Sequence, residues 1–408
     1  MKVDFNPILN CCRAHFDWKK PQTKAIALVC IALVGAALLV IKRAFFSKDT
    51  SSVPGGSSSI MSTSSTSSVP GGSSSIMSTS ATSPTNSRSF LAACLQALNE
   101  RIENFQTSYQ ILCNQSNCGI LSGGADVNPE AFARHCQKAM KVRDDRIHQH
   151  RYGNVLSFDA TNVYREDPSK YYPANYLTQI AKGNIIASQG PANGHSFDFL
   201  QMLIDVNCKF LIVVANDLDG RKYTPYLDQI FEKDGSMIQV VVAYELERGE
   251  KEDDPTAPYI VQRQLTLAKE SAPVSLENED VERHTLMQHQ LVNWPDTESV
   301  DSKILYDFVV KVISEYDLFC GDGETLVTHC SAGVGCTGVF AYIFGVIWEF
   351  QNRFDEGDFA HPLTQELLDD FFLSMRRPET GRWPMMVQTA DQYKCALEVI
   401  RMYVQSRA

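Results

Sequence analysis

Ten consecutive residues restrict the fold of this chain more than any others: His329-Cys330-Ser331-Ala332-Gly333-Val334-Gly335-Cys336-Thr337-Gly338. A short apolar run, Leu326-Val327-Thr328, leads into them, and a long one, Val339 to Phe350, follows. The pattern predicts a buried strand, a tight Gly-rich turn and a buried helix. In such a turn, successive backbone N–H groups and the first turn of the helix bear on one small volume. That is a cradle for an anion. A thiol at its entrance, Cys330, is placed to react as a thiolate nucleophile.

The rest of the composition bounds what surrounds this loop. The chain has 408 residues and a formal net charge of −11, enough for one large catalytic domain with extensions. No basic stripe argues for nucleic acid, and the acidic runs Glu245 to Asp254 and Glu277 to Glu282 read as solvated surface. The 12 cysteines form no CxxC pair, so they read as reduced thiols and not as a disulfide framework or a zinc site. No metal and no cofactor is implied. The adjacent Cys11-Cys12 reads as two ordinary cysteines.

Four regions follow one another. Residues 1–24 form an N-terminal segment. Residues 25–41 carry no charge and are flanked by Lys19, Lys20 and Lys24 on one side and Lys42, Arg43 and Lys48 on the other. They predict a single-pass membrane anchor at the short end of the spanning range. Charge on both flanks leaves its orientation open, and the free thiols favour the reducing, cytosolic side for the domain. Residues 42–88 are a Ser/Gly/Pro-rich linker in which 51–66 and 67–82 repeat each other, differing at Ser65 and Ala81. Such units bury almost nothing and predict a flexible tether. Residues 89–408 form the folded domain.

Within that domain, Leu91, Leu95, Leu98, Ile102 and Phe105 recur at helical spacing, and Asn128-Pro129 opens a second helix from Glu130 to about Lys141. Strands are expected at Phe210 to Ala215, Ile238 to Ala243, Ile260 to Leu267 and Leu326 to Thr328. Helices are expected at Phe197 to Val206, Lys303 to Tyr316, Thr364 to Met375 and Thr389 to Val404. Alternation of these types gives an α/β domain.

The loop is similar to the phosphate-binding loop H-C-x-x-G-x-G-R-[ST] of the cysteine-dependent protein tyrosine phosphatases. Other segments resemble that family in its order along the chain. Asn293-Trp294-Pro295-Asp296 resembles the mobile acid loop, and His150-Arg151-Tyr152 the segment whose Tyr walls a phosphotyrosine pocket. Asn154 stands where the family has a peptide-holding Asp. Ala174-Asn175-Tyr176, Gln189-Gly190-Pro191, Phe199-Leu200-Gln201-Met202 and Met386-Val387-Gln388-Thr389-Ala390-Asp391-Gln392-Tyr393 complete the set over roughly residues 130 to 405. The resemblance implies a twisted mixed sheet flanked by helices on both faces. It also implies hydrolysis of protein phosphotyrosine through a phosphocysteine. Carried over, Cys330 is the nucleophile, Asp296 the general acid, Gln388 the residue that positions water with Gln392 assisting, and Thr337 the hydroxyl that supports the thiolate. Ser331, Ala332, Gly333, Val334, Gly335 and residue 336 then hold phosphate, Tyr152 and Asn154 hold substrate, and His329 orients the loop.

One position departs from that pattern. The Arg six residues after the nucleophile is here Cys336. A planar fork with permanent charge grips two phosphoryl oxygens at once, whereas a thiol is short, neutral and a weak donor. The expectation is an impaired phosphatase acting on a phosphotyrosine protein or peptide. The alternatives are an inactive phosphotyrosine-binding scaffold or a redox-sensing pair formed by Cys330 and Cys336.

Overall fold

The computed structural model describes residues 84–116, 144–215, 220–248, 257–270, 281–294, 298–319 and 323–408. The expected anchor at 25–41, the tandem repeat, the helix opened by Asn128-Pro129, and Asp296 lie outside the described residues. No helix among the described residues is long and apolar enough to cross a membrane.

Two helices lead in. α1 (Pro84–Glu103) has Pro at its start, where a missing N–H costs nothing, and α2 is Phe105–Gln115. Phe90, Leu91, Cys94 and Leu98 repeat at helical spacing on α1 and are all buried. The strands are β1 (Ala174–Tyr176), β2 (Ile185–Ser188), β3 (Cys208–Val213), β4 (Ile230–Lys233), β5 (Ser236–Arg248), β6 (Tyr259–Glu270), β7 (Glu282–Val292) and β8 (Thr325–His329). The remaining helices are α3 (Ser196–Asp205), α4 (Ser302–Phe319), α5 (Gly335–Glu356), α6 (Gln365–Ser374) and α7 (Ala390–Gln405).

The strands form one mixed sheet in the order β1-β2-β8-β3-β7-β6-β5-β4. β2, β8, β3 and β7 are mutually parallel, and antiparallel strands close both sides. Every residue of β2 and β8 is buried. A strand buried on both faces needs cover on both, so neither strand alternates apolar and polar residues, and the polar Ser188, Thr325, Thr328 and His329 are buried with the rest. α5 is buried almost all round, from Thr337 through Ile347, and so serves as the central helix of the core. It ends at Gly357, whose φ of 73° is the left-handed conformation that favours glycine. β8 and α5 are thus two rigid, buried elements, and the five residues between them have little freedom of their own.

Sequence spacing placed most of these elements. It missed α2, β1, β2, β4 and β7. β2 and β4 are too short to show a period. β7 carries Arg283, His284, Gln288, His289 and Gln290, so its buried positions do not read as apolar. Gln288 and Gln290 are buried against Arg263 of β6.

Candidate active site

The loop between β8 and α5 turns its carbonyls outward, one after another. The Cys330 carbonyl lies 3.0 Å from His329 Nδ1, and the Ser331 carbonyl accepts from Gly190 N at 3.0 Å. The Ala332 and Gly333 carbonyls accept from Arg382, through Nη2 at 3.4 Å and Nε at 2.9 Å. The Val334 carbonyl accepts from Gly338 N at 3.0 Å and Val387 N at 3.1 Å. In a trans peptide the next N–H points opposite to the C=O. Fixing the carbonyls of 330–334 outward therefore aims the N–H groups of 331–335 inward. Gly333 N–H reaches Cys330 Sγ at 3.2 Å. Gly333 has φ of 72°, and a Cβ there would overlap the Ser188 carbonyl, so only glycine fits.

Arg382 is the residue the sequence did not single out for this role. It is fully buried behind the loop, and a third bond, Nη1 to Asn175 Oδ1 at 2.8 Å, ties it to β1. Burial pulls its pKa down to about 10, while Tyr171, Cys330 and Tyr172 act to raise it. It remains a cation near neutral pH, behind the thiol rather than in front of it. No local signal in Gly381-Arg382-Trp383 reveals this, because only tertiary packing sets it there.

The other expected site residues come to the same loop. Tyr152 is partly exposed, and its hydroxyl lies 2.8 Å from Ser331 Oγ, which donates to the Lys222 carbonyl at 2.6 Å. Gln189 holds the Tyr152 segment. Its Oε1 accepts from the N–H groups of Arg151 at 2.9 Å and Tyr152 at 3.2 Å, and its Nε2 donates to the Val155 carbonyl at 2.6 Å. Asn154 is exposed at the rim. Gln388 lies over the loop, since a Cβ on Gly335 would overlap its Oε1. Thr389 caps α7 by accepting from Gln392 N at 3.2 Å, which fixes Gln388 just ahead of the helix. Gln392 Oε1 accepts from Gln388 N at 2.8 Å, and its Nε2 donates to the Glu298 carbonyl at 3.4 Å, beside the acid-loop segment. Asp296 itself is outside the described residues. Thr337 is fully buried, and its Oγ1 has no hydrogen-bond partner among the described residues, so the donation to Cys330 sulfur expected of it is not formed here.

Val387 has φ of 62°, an unusual conformation for a β-branched residue. Three contacts hold it. Its N–H reaches the loop at Val334, and its carbonyl accepts from Tyr109 Oη at 3.1 Å and Arg376 Nη2 at 2.7 Å. Arg376 stacks on Phe372 with its guanidinium carbon 4.2 Å from the ring centroid. Tyr109 belongs to α2, so the N-terminal helices brace the turn that carries Gln388.

Cys336 is half-buried on the first turn of α5, and both it and Cys330 are free thiols. Burial pushes the Cys336 thiol well above its ordinary pKa, the charge of Cys330 adds to this, and a backbone hydrogen bond and Lys222 act against it. The thiol is therefore neutral at physiological pH, and the position holds no cation. Among the described residues no cluster of His, Cys, Asp and Glu could hold a metal ion.

His150 supplies a pH dependence. Its Nδ1 lies 3.1 Å from the Val155 carbonyl and its Nε2 2.6 Å from Tyr171 Oη. Burial lowers its pKa to about 4; the Val155 bond opposes this and the Arg382 charge adds to it. Between pH 6.5 and 4 the unfolded chain binds a proton that the folded chain refuses, so stability falls as pH falls through that window. The expected loss is roughly 2–3 kcal/mol. Urea unfolding of the native chain and His150→Gln at pH 7 and 4.5 checks it: the variant should lose distinctly less on acidification.

Comparison with known proteins agrees with this geometry. The family model described as protein-tyrosine phosphatase matches residues 146–401. Receptor-type tyrosine-protein phosphatase eta of Gallus gallus is 26% identical over 318 residues, covering 74% of this chain and 20% of that protein. Tyrosine-protein phosphatase non-receptor type 20 of Rattus norvegicus is 26% identical over 263 residues, covering 63% of this chain and 55% of that protein. The chain thus spans about a fifth of the length of the receptor-type relatives it matches. The crystal structure of the catalytic domain of human protein tyrosine phosphatase non-receptor type 18 covers 76% of this chain and 99% of its own, with a TM-score of 0.55 and 21% identity. A structure of PTPN18 in complex with HER2 phosphopeptides covers 78% and 99%, with a TM-score of 0.53 and 22% identity.

Proposed function

The chain belongs to the protein-tyrosine phosphatase family, and from that membership we propose that its domain takes a phosphotyrosine protein or peptide and cleaves it slowly through Cys330. The observation that carries this reading is the row of loop carbonyls turned outward from Cys330 to Val334, which aims the opposed N–H groups at the side where Cys330 Sγ sits, as Gly333 N–H does at 3.2 Å. The solved complex of a structural relative with phosphopeptides supports the ligand class. Cys330 is the nucleophile, Asp296 the acid for the leaving phenol, and Gln388, with Gln392, positions water for the second step. Ser331 to Gly335 and residue 336 receive the phosphate, and Tyr152 stacks on the phenyl ring.

Cys336 slows this chemistry. A charge-assisted hydrogen bond is worth about 1.5–3 kcal/mol, so losing two from the transition state costs about 3–6 kcal/mol, or roughly 10²–10⁴ in rate. Phosphate affinity falls as well, though less, because the N–H groups and the α5 N-terminus remain. A second reading follows from the same intact cradle: the domain binds phosphotyrosine without turning it over. Residues 25–41 anchor it to a membrane in either case, a reading supported by their apolar run and basic flanks.

The test uses the full chain with p-nitrophenyl phosphate and with a phosphotyrosine peptide, beside Cys330→Ser. Slow hydrolysis that Cys330→Ser abolishes, with peptide binding kept, supports the impaired enzyme. Binding with no hydrolysis by the native chain makes it a scaffold. Hydrolysis that survives Cys330→Ser removes Cys330 from the mechanism.

A further inference from the structure

A buried polar chain crosses the sheet to reach Cys330. Arg263 on β6 pairs in register with Gln288 on β7 and with Glu245 on β5. Its Nε donates to Glu245 Oε2 at 2.6 Å, and its Nη1 to Gln288 Oε1 at 3.0 Å and Gln290 Oε1 at 2.5 Å. Gln288 Nε2 donates to Tyr226 Oη at 3.0 Å, Tyr226 Oη lies 3.1 Å from His329 Nε2, and His329 Nδ1 lies 3.0 Å from the Cys330 carbonyl. Gln288, Tyr226 and His329 are fully buried. This is the explanation for the polar β7: its glutamines answer Arg263.

The chemistry at the two ends gives the chain a single direction. A carbonyl only accepts, so His329 Nδ1 carries the proton and Nε2 must accept. Tyr226 Oη–H then donates to Nε2, which leaves its oxygen to accept from Gln288. From the other end, Arg263 only donates, so it takes Gln288 Oε1 and turns the amide N–H₂ toward Tyr226. Both ends demand the same arrangement. Bonds aligned head to tail from a cation reinforce one another.

We propose that Arg263 and Gln288 are positioning residues for Cys330. Through Tyr226 they fix the tautomer and orientation of His329. His329 in turn holds the Cys330 carbonyl outward and so aims the Ser331 N–H at the thiolate. The Glu245–Arg263 pair anchors the far end, Arg263 three and Glu245 four strands away from β8 in the sheet order. The proposal rests on the reading of the Cys330 loop as an anion cradle.

Gln288→Glu tests the direction of the chain while keeping the Arg263 pair. A carboxylate accepts from Arg263 and from Tyr226 alike, so Tyr226 turns its proton away from His329. Tyr226→Phe removes the same donor with almost no change of shape. The readout is the rate of Cys330 alkylation by iodoacetate against pH in the full chain, with Cys330 identified by peptide mass, with and without inorganic phosphate. The other titratable groups that interact with this thiol, Arg382 and Cys336, are unchanged in both variants. Both variants should shift the profile to higher pH, slowing alkylation at pH 6 by about three- to tenfold, since one pH unit is a factor of ten. Unfolding midpoints separate this from a general loss of structure. Native chain that alkylates readily at pH 6 and is protected by phosphate, together with an unmoved profile in both variants, overturns the relay alone. Native Cys330 that alkylates no faster than cysteines of the urea-unfolded chain, with no phosphate protection, overturns the cradle reading on which the relay depends.

Discussion

Cys336→Arg is expected to raise hydrolysis of p-nitrophenyl phosphate by about 10²–10⁴-fold, because two charge-assisted bonds to the transition state are regained. Everything else that such a side chain needs is already arranged. Residue 336 is half-buried on the first turn of α5, and the thiol it replaces is neutral, so no existing charge interaction is lost. Arg382 lies on the opposite side of the loop and its bonds are committed to Ala332, Gly333 and Asn175, so it does not substitute for a fork that faces the ligand. Cys330→Ser added to Cys336→Arg should return the rate to background. A Cys336→Arg variant no faster than the native chain would mean that loss of the Arg is not what limits this domain.

Arg382→Met is expected to lower unfolding stability by about 2–4 kcal/mol. Ala332 O, Gly333 O and Asn175 Oδ1 would each lose a buried donor, and an unsatisfied buried acceptor costs about 1–3 kcal/mol. Relief from burying a guanidinium offsets part of that sum. The loop should suffer more than the fold, because two carbonyls released from Arg382 are free to turn inward against an anion. Urea unfolding measures the first effect, and loss of phosphate protection of Cys330 from iodoacetate measures the second. An unchanged urea midpoint and intact protection would show that the loop keeps its shape without the cation behind it.

The sequence made the loop itself plain, since glycine spacing, the strand before it and the helix after it all pointed to one conformation. Gln388 and Tyr152 entered through short segments that resemble the family's; Thr389 caps α7 locally, but the backbone of Tyr152 is held by Gln189, 37 residues on. What it did not reveal depends on pairings remote in the chain. Arg382 reads as one of several basic residues ahead of α7, yet it is the donor for two loop carbonyls 50 and 49 residues earlier. Gln288 reads as a residue that weakens a strand pattern, yet it faces Arg263 across the sheet. A polar residue in a buried strand is informative only once its partner is known, and the partner sits on another strand.

The bond from Tyr109 to the Val387 carbonyl bears on where this domain can be cut. The stretch that matches the family begins at residue 146, well after α1 and α2. Trimming to that boundary would remove Tyr109 and leave Val387 to hold its left-handed conformation through Arg376 and Val334 alone. The turn bearing Gln388 would then relax while Cys330 and its loop stayed in place. On the proposed mechanism, a truncated domain of this kind would lose the second half of the reaction before the first, and would accumulate as a phosphorylated enzyme.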